Sequence, residues 1–537
     1  MFIFLFFTAI HAQTTAIPDA NFEQALIDLG LDTDGLNGRV VTANISGITI
    51  LNVSTKSISD LTGIQDFISL EELDCRSNQL TSLDISQNTA LTALDCRSNQ
   101  LTSLNVSQNT ALEILSCLNN QLTSLDVSQN TALISLYFNN NQIPSIDISQ
   151  NINLLKFGCR SNQLSSLDVS NNTALTDIYC DNNQLLSLDI TKNTALKVLS
   201  CYNNQLTGLD ITQNTDLFYL DCSINQLTSI DVSQNIALTT LSLSTNQLLS
   251  VDISKNTALS SFYCNSNELT TLDVSQNTVL TDLYCNNNQF TNLDVSNNTK
   301  LIRLSSTFNQ LTSLDVTNNM DLTMLFCTNN QLTNLDVSNN TSLIRLSCNI
   351  NQIKSLDVSN NTALEYFFCN TNQLTGLDVS NNTALITLNC SDNSLLTSLN
   401  VKNGNNASIT SFDARNNPSL TCIQVDNETA ANASEAPYAT WIKDVSCTYS
   451  EDCAALSLDD DFLSQGVNVY PNPIHDILTI DSEVPLTKVE IYSVFGQKIT
   501  EIYSGFKNIA TDNLSSGMYI FKIYSENGTA IKKLIKN

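Results

Sequence analysis

The sequence predicts a mainly β protein, in which stacked coils form a solenoid with two parallel sheets, followed by a small C-terminal antiparallel β-sandwich. Residues 70 to about 395 repeat every 21 residues without a gap. Each unit contains two halves in which apolar and polar residues alternate, as in a short strand with one buried face. The last 71 residues lose this repeat and contain strand patterns separated by turn signals.

The chain starts with an apolar run, MFIFLFFTAIHAQ. Such a run is typical of a secretory signal peptide, here cleaved near Ala12. No Lys or Arg precedes the run, which leaves open a start further upstream. No later segment is apolar enough to predict a membrane span. We therefore expect the mature protein to be secreted or attached to the outer surface.

The next stretch, PDANFEQALIDLG, predicts a short helix that Asp19 caps and Gly30 ends. Phe22, Leu26 and Leu29 would line its apolar face. This helix should belong to a cap that covers the open end of the solenoid.

The loop after the helix, LDTDGLNGRV, resembles a calcium-binding loop through Asp32, Asp34 and Gly35. The glutamate that such loops carry at their twelfth position is missing. We therefore interpret this loop as a turn.

The repeats divide into halves of 10 and 11 residues, such as LTALDCRSNQ and LTSLDVSQNTA. Both fit the pattern L-x-x-L-x-L/C-x-x-N. Ten residues are too few for a strand, two turns and a helix, so the repeats should contain no regular helices. One unit alone cannot bury its leucine face, and stacked neighbours should complete the core. Sixteen coils at the spacing of β-strands would span roughly 75–80 Å.

This pattern resembles the leucine-rich repeat, in particular the 21-residue bacterial variety in which two short repeats are nested in one unit. The resemblance covers about two thirds of the chain. Residues 48–70 are similar to one longer repeat of the internalin type. The resemblance implies a solenoid displayed outside the cell, and it does not name a ligand.

Cysteine occupies the sixth position of the first half in thirteen of sixteen units. We expect these thiols to point inward, as small buried hydrophobes. A disulfide ladder is the alternative, but parallel side chains rarely reach the torsion that a disulfide needs. A metal–thiolate site would need converging ligands, which a linear column does not supply. The column consists of Cys75, Cys96, Cys117, Cys159, Cys180, Cys201, Cys222, Cys264, Cys285, Cys327, Cys348, Cys369 and Cys390.

Two asparagine columns run through the repeats without an exception, from Asn78 to Asn393 and from Asn88 to Asn382. Their side chains should point inward at the turns. There the amides can bond to backbone groups of adjacent coils and form a ladder along the solenoid axis.

The second half hardly changes between units, and its fifth position is aspartate in fourteen of fifteen units from Asp84 to Asp378, with Asn105 as the exception. Neighbouring carboxylates about 4.8 Å apart repel each other, so flanking Ser and Thr, salt or cations must offset the cost. We interpret this column as a solubilising charged face. Weak Ca²⁺ or Mg²⁺ binding along it is the alternative.

The first half varies at its exposed positions, where aromatic residues and arginines recur. Such residues are typical of binding surfaces. The alternative is that aromatics suit exposed strands and fill gaps between coils. We favour binding because one face varies while the other is nearly constant. The candidate ligand-binding residues are Tyr263, Tyr284, Arg303, Phe326, Arg345, Tyr366 and Phe368.

Three cysteines lie outside the column, and an exported protein can oxidise a pair of them. We favour a disulfide between Cys422 and Cys453, with Cys422 and Cys447 as the alternative. Either bridge would fix the cap over the last coil.

The final segment resembles the type A C-terminal sorting domain of type IX secretion in its YPNP, VFGQK and LSSGMYIFKI stretches and its lysine-rich tail. The resemblance implies translocation across the outer membrane by the secretion machinery. Removal of the domain and surface attachment or release would follow. The residues that carry the resemblance are Tyr470, Pro471, Asn472, Pro473, Gly496, Gly517 and Tyr519.

The formal net charge of −29 makes nucleic acid an unlikely partner, since phosphate binding needs a basic surface. Only two histidines are present, both outside the repeats, and we find no nucleophile–base pair or phosphate loop. We expect no cofactor. The leading hypothesis is a surface protein that binds a protein or glycan without catalysis. A structural spacer and a polysaccharide-cleaving enzyme are the alternatives.

These observations divide the chain into a signal peptide (1–12), an N-terminal cap (13–70), a leucine-rich repeat solenoid (71–425), a C-terminal cap (426–455), a linker (456–466) and a sorting domain (467–537).

Overall fold

The computed structural model describes residues 12–453, 467–482, 484–493, 497–525 and 528–537. The predicted linker and the predicted signal peptide, apart from Ala12, lie outside the described residues. The boundaries proposed from the sequence remain a prediction.

The N-terminal cap contains an antiparallel strand pair, Thr14–Ala16 with Arg39–Val41, and the predicted helix, Ala20–Asp28. The Asp19 carboxylate accepts hydrogen bonds from the backbone N–H of Asn21 and Phe22 at 2.9 and 3.0 Å, as a helix cap should.

The prediction for Leu29 is wrong, because this residue follows the last helical turn and is 49% exposed. The cap also contains a second short helix, Thr42–Ile45, and a 3₁₀ turn, Ile64–Asp66, which the sequence pattern did not indicate.

A parallel sheet runs along the whole solenoid and receives one short strand from each coil. Equivalent residues of successive coils face each other in register, for example Leu283 and Leu304. The first and last strands pair on one side only, so the sheet is open. Its nineteen strands are Ile50–Asn52, Glu72–Asp74, Ala93–Asp95, Ile114–Ser116, Ser135–Tyr137, Lys156–Gly158, Asp177–Tyr179, Val198–Ser200, Tyr219–Asp221, Thr240–Ser242, Ser261–Tyr263, Asp282–Tyr284, Arg303–Ser305, Met324–Phe326, Arg345–Ser347, Tyr366–Phe368, Thr387–Asn389, Ser411–Ala414 and Ile442–Lys443.

The second parallel sheet is present only at the C-terminal end, where it has four strands. In the coils between 71 and 375, all of them described, the second half forms no strand. Asparagine side chains join the coils there instead. The four strands are Gly376–Asp378, Ser398–Asn400, Cys422–Gln424 and Thr448–Ser450.

The repeats contain no helix between residues 71 and 395, all of which the structure describes. This confirms the prediction from the short repeat length. A 3₁₀ turn, Asn406–Ser408, appears where the repeat degrades. Leucines, isoleucines, valines and the column cysteines fill one continuous core that runs along the solenoid axis.

The asparagine columns act as predicted. Asn99 Nδ2 donates to the carbonyl oxygens of Cys75 and Cys96, and Asn99 Oδ1 accepts from the N–H of Leu80. Each amide therefore joins two coils and satisfies backbone groups that the turn leaves unpaired.

The last coil is covered by an aromatic cluster in the C-terminal cap. The Trp441 ring stacks on Phe412 with centroids 4.3 Å apart and meets the edge of Tyr438 at 4.8 Å. Trp441 Nε1 donates to the Ile409 carbonyl at 3.2 Å. The cap also contains the short helix Glu428–Asn432 and the 3₁₀ turn Tyr438–Thr440.

The C-terminal segment contains two antiparallel sheets that share one core. Leu478 and Ile480 of the first sheet and Val489 and Phe521 of the second belong to it. This agrees with the predicted sandwich. The first sheet consists of Val467–Tyr470, Ile477–Ser482 and Ile509–Ala510. The second consists of Lys498–Ile502, Leu486–Ser493, Gly517–Ser525 and Gly528–Lys536.

Candidate functional site

The outer surface of the main sheet is built from two residues per strand. The middle residue of each strand points into the core, as Leu283 does, while the first and third residues point outward. Because the strands pair in register, the outward residues form two columns that cross the strands. We call the outward residues of the six strands from Ser261–Tyr263 to Tyr366–Phe368 the variable face.

The third-residue column of the variable face alternates between aromatic residues and serines after its first two members. Tyr263 and Tyr284 stack with ring centroids 5.3 Å apart and planes at 22°. Ser305 lies between Tyr284 and Phe326 and is only 4% exposed. The sequence pattern predicts that this position of the first half is exposed, which is wrong for Ser305, because a serine is too short to reach solvent between two rings.

The first-residue column contains two arginines with different neighbours. Arg303 Nε donates to Asp282 Oδ1, in the preceding coil, and the two groups form an ion pair. The guanidinium of Arg345 instead lies 4.8 Å from the ring centroid of Tyr366 and 6.0 Å from that of Phe326. Both distances are within the range of cation–π contacts.

These contacts have electrostatic consequences. The hydrogen bond that Arg303 donates to the Asp282 carboxylate raises the pKa of Arg303. Burial raises the pKa of Tyr284, so its hydroxyl stays neutral and can donate a hydrogen bond.

The structure brings the seven candidate residues onto one continuous surface, spread over six successive strands. Their role in ligand binding remains a prediction. Sequence reasoning missed Asp282, which contacts Arg303 directly. The sequence could have predicted this contact, because Asp282 and Arg303 are 21 positions apart and therefore adjacent in one column.

A second polar cluster on the same sheet was not among the candidates. The guanidinium of Arg160 lies 4.4 Å from the ring centroid of Tyr179, and its Nε pairs with Asp181. The Asp181 carboxylate is fully buried and accepts hydrogen bonds from Ser200 Oγ and from the N–H of Tyr202 at 3.1 Å. Burial raises the pKa of Asp181. A cavity of about 320 Å³ adjoins this cluster.

The aspartate column lies on the opposite side of the coil and is held by its own turns. The N–H of Ser86 donates to Asp84 Oδ1 at 3.0 Å, and the same arrangement recurs at Asp231 with Ser233. The hydrogen bonds from Ser86 hold the pKa of Asp84 below its usual value. These bonds offset the repulsion within the column.

The aspartate column and the loop that contains Asp32 and Asp34 are the acidic stretches from which the sequence could suggest a metal site. Within the described residues, no group of three or more His, Cys, Asp or Glu side chains is arranged to hold a metal ion. Asp32 is buried, and its Oδ1 accepts a bond from the N–H of Asp34 at 3.3 Å, as in a turn. Weak Ca²⁺ binding to the aspartate column remains a hypothesis.

The thirteen column thiols are free and fully buried. Burial raises the pKa of Cys285 and of Cys327 to about 12. Thiols of this kind are unreactive and serve as packing groups. Cys422 and Cys453 are joined in a disulfide, the pairing favoured from the sequence, and Cys447 is free and buried.

The residues predicted from the sorting-domain resemblance lie around the last strand of the chain. Asn472 Oδ1 accepts a hydrogen bond from the N–H of Ile535 at 2.9 Å. Tyr519 is buried, and its hydroxyl donates to the Ser515 carbonyl at 2.9 Å. Tyr470, Pro471 and Pro473 flank Asn472, Gly517 begins the strand that contains Tyr519, and Gly496 lies outside the described residues.

Comparison with known proteins supports both parts of this architecture. Residues 468–537 match the family described as the secretion system C-terminal sorting domain. The functional domain of InlJ from Listeria monocytogenes, described as including a cysteine ladder, has a similar structure, with a TM-score of 0.55 and 26% sequence identity over 99% of this chain and 100% of that chain. A leucine-rich repeat protein from Leptospira interrogans gives a TM-score of 0.54 and 24% identity over 66% of this chain and 93% of its own. No curated protein matches the sequence.

The chain is thus a leucine-rich repeat solenoid followed by a sorting domain of type IX secretion, as its residues predicted. The sorting domain makes it an exported protein, either secreted or held at the outer surface. None of the helices in the described part of the chain has the length and apolar character needed to cross a membrane.

Proposed function

We propose that the exported solenoid recognises an extracellular protein or glycan through its variable face and catalyses no reaction on it. The observation that carries this proposal is the strict register of the main sheet. Register collects side chains that differ from coil to coil into one surface. The opposite side of the coil keeps the same aspartate in nearly every unit. A protein under selection for binding is expected to vary one face and to preserve the other.

The composition of the variable face supports recognition. Its aromatic side chains are half-buried, so each presents a ring to solvent while its position is fixed by packing. Rigid aromatic residues and arginine supply most of the binding energy at protein interfaces, because they offer large contact areas at a low entropic cost. A spacer would have no need of these residues.

Catalysis of polysaccharide cleavage is the less favoured alternative. Such enzymes use two carboxylates that face the scissile bond with different protonation states. Asp282, the carboxylate in the first-residue column of the variable face, is held by Arg303 and by Thr281 Oγ1 at 2.8 Å. The other regular carboxylates lie one per coil on the far side and do not converge.

The test is a glycan and protein array probed with the full chain. Saturable binding that is lost in Tyr284→Ala or Phe326→Ala supports recognition through this face. Phe218→Ala is the matched control, because Phe218 is an exposed aromatic residue that lies outside the variable face. Absence of binding to every array member favours the spacer. Binding that is unchanged by both substitutions would show that the ligand binds outside the variable face.

A further inference from the structure

Arg303 and Arg345 occupy equivalent positions two coils apart. The residue in the same column of the preceding coil decides whether the charge of each arginine is neutralised. Asp282 pairs in register with Arg303, whereas Met324 pairs in register with Arg345. The carboxylate neutralises the first arginine. The uncharged thioether of Met324 cannot neutralise Arg345.

Arg345 therefore carries an uncompensated charge. Among the residues that the structure describes, no carboxylate lies within 4.0 Å of its guanidinium nitrogens, and its side chain makes no hydrogen bond. The neighbouring rings of Phe326 and Tyr366 fix the guanidinium in place. A positioned, weakly hydrated guanidinium with free N–H groups is suited to bind a carboxylate or sulfate in a bidentate manner.

The charge of the whole chain makes this position distinctive. The chain carries 52 acidic residues against 23 basic ones, so an anionic ligand is repelled over most of the surface. The other arginines of the main sheet are paired with carboxylates, as Arg97 is with Asp95 and Arg415 with Asp413. Arg345 is thus the point on this face where an anionic group gains most from binding.

The spacing of the aromatic residues indicates what kind of anion fits. Tyr284, Phe326 and Phe368 alternate with serines, so their rings recur every second strand, about 9.6 Å apart. An extended peptide repeats its side-chain direction about every 6.6–6.8 Å, which does not match. An extended polysaccharide presents the same apolar ring face at every second sugar, and such faces pack on aromatic rings.

We propose that the ligand of the variable face is an acidic polysaccharide. One of its carboxylate or sulfate groups would pair with Arg345, and its sugar rings would lie along the column of Tyr284, Phe326 and Phe368. This inference rests on the proposed function and adds the chemical class of the ligand.

The test uses the full chain and alginate as the probe, with carboxyl-reduced alginate as its neutral counterpart. Binding should be saturable with alginate and should weaken as salt is added, since screening reduces the attraction. The carboxyl-reduced polymer should bind on the order of tenfold more weakly, the loss of one charge-assisted bond. Polyglutamate tests the competing possibility of an acidic peptide.

Two substitutions exploit the difference between the arginines. Met324→Asp places a carboxylate before Arg345, as Asp282 stands before Arg303, and should reduce alginate affinity roughly tenfold. Asp282→Met frees Arg303 and should raise the affinity. Asp282 already occupies this strand position in another coil, so the Met324→Asp variant is expected to fold. Arg345→Gln removes the charge directly and should cause the same loss of alginate affinity.

The outcomes separate this inference from the proposed function. Equal binding of both alginate forms, or unchanged affinity in Met324→Asp and Arg345→Gln, overturns the acidic ligand while leaving recognition by the face intact. Tighter binding to polyglutamate than to alginate overturns the polysaccharide. If Tyr284→Ala and Phe326→Ala also leave all binding unchanged, the proposed function fails with it.

Discussion

Tyr263 and Tyr284 stack across adjacent coils, with ring centroids 5.3 Å apart. A stacked pair on neighbouring strands stabilises a sheet, and it also presents a flat apolar surface. The two roles are tested by different measurements. Stabilisation of the sheet depends on the contact between the two rings, whereas ligand binding depends on their exposed faces.

We predict that Tyr263 and Tyr284 are energetically coupled. A double-mutant cycle with Tyr→Ala substitutions should give a coupling free energy of about 0.5–1 kcal/mol in urea unfolding. Tyr263 and Phe326 are three strands apart, and their cycle should be additive. A coupling near zero for the stacked pair would mean that the rings do not stabilise the sheet.

The asparagine ladder should be indispensable at each coil. Asn235 is fully buried, and its Nδ2 donates to the carbonyl oxygens of Ile211 and Asn214 at 2.9 and 2.8 Å. Asn235→Ala removes one of the two hydrogen bonds that each carbonyl accepts, since the N–H groups of Asn214 and Leu217 supply the others, and should lower the free energy of unfolding by about 1–3 kcal/mol. Gln234→Ala, at an exposed neighbouring position, should change it by less than about 0.5 kcal/mol. Equal effects of the two substitutions would contradict the ladder.

The column thiols should be inaccessible in the folded protein. Burial raises the pKa of Cys117 and Cys390 to about 12, so almost no thiolate is present at pH 8. A thiol-reactive chromogenic disulfide should label the native chain negligibly and should label 14 thiols after denaturation, the thirteen of the column and Cys447. Rapid labelling of several thiols at pH 8 without denaturant would show that the coils open or that the column lies outside the core.

The period of 21 residues made most of this fold predictable. Once each unit is a coil, Leu, Cys and Asn at fixed positions must form inward columns, and this is where they lie. The period also places residue i beside residue i+21, which is sufficient to find Asp282 next to Arg303.

The sequence pattern did not predict which outward-facing side chains of a column are buried by their neighbours. Ser305 is hidden because its neighbours are larger, and Asp181 is buried because Arg160 and Ser200 surround it. Both outcomes depend on the particular residues in adjacent coils and not on the repeat. The second parallel sheet was overestimated for a related reason, since asparagine amides join most coils without strand pairing.

The aspartate column should make the solenoid sensitive to acid. Hydrogen bonds from Ser and Thr lower the pKa of Asp84, Asp189 and Asp315 below their ordinary value. A carboxyl whose pKa is lowered on folding stabilises the folded state above its unfolded pKa, near 3.9. This contribution is lost as the pH falls through the folded pKa. Urea midpoints, followed by the circular dichroism of the whole solenoid, should therefore fall steeply below about pH 4.

The control for the acid effect exists within the chain. Asn105 replaces aspartate in one unit and keeps the turn, since its Oδ1 accepts from the N–H of Ser107 at 3.0 Å. Changing four successive column aspartates to asparagine should keep the fold and flatten the pH dependence. A dependence as steep as that of the unmodified chain would assign the acid sensitivity to other groups.

The disulfide between Cys422 and Cys453 should stabilise the C-terminal cap and leave the repeats unaffected. The bridge closes a loop with a sequence separation of 31, for which the loss of chain entropy in the unfolded state corresponds to about 3–4 kcal/mol. Cys422→Ala with Cys453→Ala should lower the midpoint of Trp441 fluorescence, because Trp441 packs in the cap against Phe412. Cys447→Ala, which removes a free thiol from the same region, should have a smaller effect. If the double substitution left the unfolding midpoint of the cap unchanged, the packing of Trp441 alone would be sufficient to hold the cap on the last coil.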